Sequence, residues 1–564
     1  MSGIPETRKL WITPLSPVHM GTDEDYTPTG YVIEGNALYE FDQAALENLP
    51  ISQRQSLDKI LSGKATPDML KKVQAFFHKN REWLIPAAVN VVYVSDELAR
   101  LYEDRVGKAA NIETGGKQVL NALEIERAAY NLQTRRLFLP GTGLKGAMRT
   151  ALLDAINNNR PLEKIEYFDK RENRDKIRKE NNKEVQQRLF RYTMRDLHKD
   201  PMRLVQVGDC AWHGADELNS AEILFAVNRK KQLVQKDGVE VQPMAEKGPP
   251  QMLECATPFR FRAFQGLLNI ADLAGFYDRD NKLPCFRFSF GEIATACNRF
   301  YRPIFERETA LQKNRGYLDT EWRETVERLL EDPGISRRLD SNDAFLLRVG
   351  RHSGAESVTI NGVRSIKIMK GKGQRHAWKP EAKTVWMATG SRHDKRYLRP
   401  FGWLLVEMTE PEKEPPIWRE ATELLAVHSE KMCEWLSNVR SYQHDLSFKV
   451  DRAKELEMAR KEKRKRELRE EEDKALRYAA LSDEEKQICD LKDLLEKDRA
   501  AGNKHPGSPL NEARLRLLEE ALTWEDSSLR KRAAEVIRET VIFLPWAIRR
   551  KTEMGEKLVW LESG

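Results

Sequence analysis

Apolar and polar positions alternate from the first residues onward. Leu10, Ile12 and Leu15 interleave with Trp11, Thr13 and Ser16, an imperfect period of two that predicts a strand. Tyr31 to Ile33 and Ala37 to Phe41 flank Glu34-Gly35-Asn36, the pattern of a hairpin. From about Gln43 to Arg127 the spacing turns mostly helical, with Leu57, Ile60, Leu61, Leu70, Val73 and Phe76-Phe77 three or four residues apart. Val89 to Val94 is a β-branched run inside that block and reads as one more strand. Leu137-Phe138-Leu139 then enters Pro140-Gly141-Thr142-Gly143. Beyond it Leu144, Ala147, Met148, Ala151, Leu152 and Ile156 make one apolar helix face.

Residues 163–200 are highly charged and read as helical or partly disordered. Strands are expected again at Leu204 to Val207 and at Phe259, Phe261 and Ala263, where Arg260 and Arg262 alternate with them. Residues 291–332 read as helix, and 345–406 as strand-rich and basic. After the proline-rich stretch Glu410 to Pro416 the pattern becomes almost wholly helical through residue 500. The loop 501–509 and a last helical stretch ending near Trp546 follow. Within this tail, 454–474 carries dense mixed charge and few apolar anchors. It reads as a solvated helix held by i,i+4 pairs, or as a basic arm against RNA. Leu491, Leu494 and Leu495, with Leu515, Leu517, Leu518 and Leu522, form stripes to be buried against the chain's own core or a partner helix.

Composition narrows the function classes. The 564 residues allow two to four domains at roughly 100–200 residues each. With 95 basic and 88 acidic groups the net charge is only +7, so an anionic partner must be held by local basic patches. Six cysteines are scattered without a C-x-x-C pair or zinc-finger spacing, which argues against a disulfide framework or a structural zinc, and no cofactor is expected. No run of about 18 apolar residues is present, and a cytoplasmic protein without a membrane span is expected.

The chemistry concentrates in Leu139-Pro140-Gly141-Thr142-Gly143-Leu144-Lys145-Gly146-Ala147-Met148-Arg149, between a strand and an amphipathic helix. Glycines permit a tight turn and close approach of a phosphate, and helix-start N–H groups point at such an anion. Lys145 and Arg149, four residues apart, share a helix face. The pattern is not a P-loop, because Gly146 stands where Ser or Thr must follow the lysine. Gly141, Gly143 and Gly146 have dinucleotide-fingerprint spacing, but no βαβ unit follows. A tight strand–helix turn with no ligand is the plainer alternative.

Four segments in order resemble the CRISPR-associated RAMP superfamily: residues 12–42 with the PVHMG turn, 137–155 with the glycine-rich run, 200–210 (DPMRLVQVGDC), and 345–360 (FLLRVGRHSGAESVTI), closed by 400–407 (PFGWLLVE). Within it the set is similar to the subunit that caps the guide RNA's 3′ end in type III-A Csm complexes. That resemblance implies an α+β fold, with a ferredoxin-like (RRM-like) core over 1–42 and 128–407. It implies helical insertions at 43–127 and 163–200 and a helical C-terminal module at 417–564. It implies a non-catalytic subunit whose partners are guide RNA (crRNA), other RAMP backbone and small helical subunits, and target RNA indirectly.

Carried over, the resemblance implicates Gly141, Thr142, Gly143, Lys145 and Arg149 against the RNA backbone, and His19 and Gly21 near it. Arg348, Arg351 and His352 sit around a glycine-flanked loop, with Lys370, Lys372, Arg375 and His376 in the next. Arg392, His393, Lys395 and Arg396 form a further basic cluster, with Tyr397 as a stacking partner for a base. Target-cutting backbone subunits carry an aspartate after the first hairpin turn. Here Thr27, Pro28, Thr29 and Gly30 stand there, while Asp23 and Asp25 read as a solvated acidic turn. The alternative is a RAMP-family endoribonuclease that processes or cleaves RNA, with His19 or His352 as its acid or base. Such enzymes carry their glycine-rich loop near the C-terminal end, not at 141–146.

Overall fold

The computed structural model describes every residue except 1–5, 64–65, 109–122, 170–173, 215–219, 234, 237–238, 241–245, 247–250, 272–282, 370–374, 545–551 and 564. It is an α+β protein, and its packing divides it into two compact units, Met1–Asp451 and Arg452–Gly564.

The first unit contains a seven-stranded and a nine-stranded sheet. In the former, Glu6–Pro14 lies between Trp403–Thr409 and Phe264–Ile270, antiparallel to both. Ala344–Arg348 pairs outside Trp403–Thr409, and Cys210–Trp212 with Phe138–Leu139 extends the other side. The strand read at the chain's start is present, but its second half is buried on both faces: Trp11 and Thr13 are buried as well as Leu10 and Ile12, which suits a central strand. Two helices, Gly141–Asn157 and Phe290–Asn314, pack together. Tyr301, buried on the second, donates a hydrogen bond to the Ala147 carbonyl at 3.1 Å.

The nine-stranded sheet holds the predicted hairpin, Tyr31–Glu34 paired with Ala37–Glu40, and the predicted strand Asn90–Val94. Gly35 turns that hairpin at φ +56°. Helices from residues 51–84 cover a second apolar cluster, which Val439 and Leu446 of the long helix Arg419–Ala479 complete. That helix carries a buried row, Leu425, Leu436, Val439, Leu446 and Val450, so its opening stretch belongs to the first unit. The compositional break at 417 is therefore not the break in packing, which falls at Asp451.

Two sequence expectations fail for physical reasons. Two charged strands, Lys164–Asp169 and Arg174–Lys179, pair antiparallel, and a helix follows at Asn182–Phe190. Ile165 and Tyr167 keep a period of two that the surrounding charge hides. Phe259–Ala263 is a turn rather than a strand: Phe259 and Arg262 have φ of +62° and +50°. The turn is held by Arg262, whose guanidinium pairs with buried Glu407 at 2.7 Å.

In the second unit the long helix runs on to Ala479, followed by Asp483–Ala501, Pro509–Ala521, Ser527–Phe543 and Glu553–Ser563. Leu491, Leu495, Leu517 and Leu518 are buried in this unit's own cluster, and Leu494, Leu515 and Leu522 pack against it. The apolar stripes thus face their own core. Arg514, fully buried, donates from Nη1 to the carbonyls of Thr540 (3.3 Å) and Leu544 (2.8 Å), closing the end of the Ser527–Phe543 helix. Trp546 lies outside the described residues. No helix among the described residues is long and apolar enough to cross a membrane.

Candidate nucleic-acid interface

The separate segments singled out in the sequence meet in space. The PVHMG turn is bound to three of them. The backbone N–H of Gly402 donates to the Pro17 carbonyl at 2.9 Å, and that of Arg351 to the His19 carbonyl at 2.8 Å. Met20 reaches toward the glycine-rich helix. A Cβ on Gly143 would stand 2.1 Å from the Met20 methyl. Gly350 closes the group at φ +80°, where a Cβ would stand 2.3 Å from the His19 carbonyl oxygen. Gly21 is similarly tight against the His19 ring, at 3.0 Å.

The glycine-rich helix starts at Gly141, packed on the 200–210 segment. A Cβ there would lie 2.2 Å from the Val207 carbonyl oxygen and 2.6 Å from that of Gly208. Gly141 thus serves close backbone packing. Its N–H donates to the Asp209 carboxylate at 2.8 Å. An acidic side chain already sits at this helix start, where an RNA phosphate was expected. Thr142 and Gly146 are accessible beside it, and Lys145 is half-buried. Partial burial lowers the Lys145 ammonium below its ordinary pKa, offset in part by nearby Asp200. An arriving phosphate would shift it back toward its ordinary value.

Arg149 does not share that freedom. Its guanidinium holds Asp200 at 2.8 Å, Gln186 at 3.0 Å and the Tyr192 hydroxyl at 3.1 Å, against the Phe190 ring. It is a clamp between helix and loop, a correction to its expected place on the RNA. Arg348 is corrected likewise. Its side chain is 0% exposed, paired to Glu308 at 2.5 Å and bonded to the Phe401 carbonyl at 3.0 Å. No phosphate reaches it. Arg351, three residues on, is exposed and pairs with Glu126 at the surface.

The two histidines are set as neutral groups. His19 is buried, with Nδ1 at 2.6 Å from the Glu254 carbonyl oxygen, and burial lowers its pKa. It does not present its ring to RNA. His352, at φ +63°, stacks on Trp386 with centroids 4.6 Å apart and meets Gln251 at 2.8 Å. Burial, then the neighbouring Arg351 charge, pushes its pKa down to about 4. Beneath them, burial pushes the Glu254 carboxyl up to about 7, while the Tyr26 hydroxyl (2.6 Å) and the Ala128 N–H (3.0 Å) donate to it.

A pH dependence follows. Between the ordinary histidine value of 6.5 and about 4, the unfolded chain takes up a proton that folded His352 refuses. Stability contributed by neutral His352 is therefore lost as pH falls through that window. Glu254 acts in the opposite sense, because its folded pKa is raised. His352→Asn keeps a residue tolerant of positive φ and removes the titration. Urea midpoints should fall less steeply from pH 6.5 to 4 in this variant than in the wild type. Identical pH slopes would refute the assignment.

The remaining basic segments lie on exposed turns. Arg375, His376 and Lys379 lie on or beside the hairpin Ile366–Ile368 with Ala377–Lys379, open to solvent, whereas Lys370 and Lys372 lie outside the described residues. Trp378, which the sequence pattern did not single out, is 58% exposed there, and His376 meets its edge at 5.6 Å. An aromatic flanked by His and Lys was the available signal. Arg392 is tied to Glu97 at 3.0 Å. His393, Lys395, Arg396 and Tyr397 reach solvent, Tyr397 by 71%. Asp23 and Asp25 are also exposed, on the Gly21–Tyr26 strand, and 27–30 is a turn closed by the Gly30 N–H on the Thr27 carbonyl at 2.8 Å. A groove of about 700 Å³ opens beside Asp209, lined by Asn131, Arg136, Phe138, Trp212 and His213. Among the described residues no cluster of three or more His, Cys, Asp or Glu is placed to hold a metal ion.

A family model described as the RAMP superfamily matches residues 11–248. No curated protein matches the chain. Among solved structures, it is similar to a chain in "Cryo-EM structure of Csm-crRNA-target RNA ternary complex in type III-A CRISPR-Cas system", with 17% identity and a TM-score of 0.38, covering 72% of this chain and 100% of that one. It is similar also to "Crystal structure of T.onnurineus Csm5", with 15% identity and a TM-score of 0.35, covering 71% of this chain and 99% of that one.

Proposed function

We propose, from the match of residues 11–248 to the RAMP superfamily model, that this chain is a member of that superfamily and a guide-RNA-binding subunit capping the 3′ end in a type III CRISPR effector complex. The observation that carries the reading is the meeting of the PVHMG turn, the glycine-rich helix and the Val349–Ser353 loop, where Thr142 and Arg351 are exposed and Lys145 is half-buried. RNA is held there by its backbone, and sequence is left to base pairing. Exposed Trp378 and Tyr397 supply stacking faces for unpaired bases.

A ferredoxin-like core belongs to the same reading. Its support is the strand order Trp403–Thr409, Glu6–Pro14, Phe264–Ile270, Cys210–Trp212, with the two packed helices lying between these strands in the chain. The other RAMP backbone and small helical subunits are its proposed neighbours, and target RNA meets it only through the guide.

The subunit is proposed to be non-catalytic. The reading is supported by the turn at 27–30, which holds no acid, and by His352, whose pKa of about 4 makes it a poor proton donor and a weak base at pH 7. The test is incubation of purified protein with single-stranded guide RNA, with and without a divalent metal, reading binding and chain length together. Retention of intact RNA is expected. Cleavage lost on changing Asp23, Asp25 or His352 would overturn the non-catalytic assignment.

A further inference from the structure

The long helix carries a second charged surface. From Met458 through Ala480 every residue is exposed, so no packing explains its side chains. Residues 460–469 hold seven cations against Glu462 and Glu467 alone. The charges are sorted by face. Lys463 pairs with Glu467 at 3.8 Å and Arg466 with Glu470 at 3.1 Å, which neutralises one side. Arg460, Arg464, Lys465 and Arg469 make no ion pair among the described residues, and Lys461 beside them pairs with Glu457 at 3.8 Å. At about 100° per residue these five fall within one half of the helix circumference. The helix thus leaves a cationic strip about 14 Å long. An acidic run, Glu470 to Asp473, closes it at the C-terminal end.

We propose that this strip, Arg460 to Arg469, binds the phosphate backbone of single-stranded RNA, as a site separate from the glycine-rich one. The choice of RNA rests on the reading given under Proposed function. The strip itself supplies the charge complementarity. It has no bulky aromatic to stack a base, so it reads phosphates and no sequence.

The test uses the full chain with Arg460, Lys461, Arg464, Lys465 and Arg469 all changed to Gln, a good helix former. Circular dichroism checks that helix content is kept. Binding of a labelled oligouridylate is measured over a series of salt concentrations. Each phosphate of a single strand that is no longer neutralised lowers the log–log salt slope by about 0.7. Two or three phosphates along the strip give an expected fall of about 1.4–2. The paired-face control, Lys463→Gln with Arg466→Gln, should change the slope less. A fall below about 0.7, or weakening seen only with duplex DNA, would overturn the proposal. If the strip variant binds normally while Lys145→Gln with Arg351→Gln does not, this inference alone fails. The reverse pattern leaves the strip standing and removes the glycine-rich site.

Discussion

Arg348→Ala is expected to lower the unfolding free energy by about 3–5 kcal/mol, the usual cost of stranding one member of a buried ion pair. The guanidinium is wholly enclosed, between Glu308 and the Phe401 carbonyl, and it covers the Trp403 ring at 5.0 Å. Glu308, itself mostly buried, would keep a carboxylate without its cation. The destabilisation should appear as a lower urea midpoint at unchanged m-value. The salt dependence of RNA binding by the folded fraction should not move. A variant as stable as the wild type, with a weaker RNA salt slope, would return Arg348 to the RNA surface.

Gly350→Ala has the second large effect. A left-handed φ of +80° costs a residue with a side chain about 1–2 kcal/mol by itself. The new Cβ would also meet the His19 carbonyl oxygen at 2.3 Å, and backbone must shift to relieve it. That shift breaks the bond from the Arg351 N–H to His19 and separates two of the converging segments. Stability and RNA affinity should fall together. Gly146→Ala is the contrasting case. Nothing lies within 4 Å of its Cβ position, and a mid-helix glycine replaced by alanine gains about 0.5–1 kcal/mol. Equal stability of the two variants would show that Gly350 is not packed against the PVHMG turn.

Local pattern made much of this legible. The first strand, the 31–40 hairpin, the strand near residue 90 and the glycine-rich helix all follow from apolar periodicity or turn chemistry, which neighbouring residues determine. The functional segments were legible as motifs, and the fold brings them together. What each side chain does there was not legible. Asp209 reaches the start of the glycine-rich helix from 68 residues away, and Asp200 engages Arg149 from 51 residues away. Nothing in the spacing of Lys145 and Arg149 reveals that one is bound and the other open. Arg348 and Arg351 are likewise alike in sequence. The first ends a strand buried along its whole length, and the turn at Gly350 delivers the second to the surface. The break at Asp451 was hidden because a helix can leave a core without changing its composition abruptly.

The most direct measurement is the salt dependence of single-stranded RNA binding by the wild type and by Lys145→Gln with Arg351→Gln. Neither residue clamps the core as Arg149 and Arg348 do, so the fold should survive the change. The account predicts weaker binding and a log–log salt slope shallower by about 1.4, two neutralised phosphates at about 0.7 each. Wild-type affinity and slope in the double variant, with its fold intact, would contradict it.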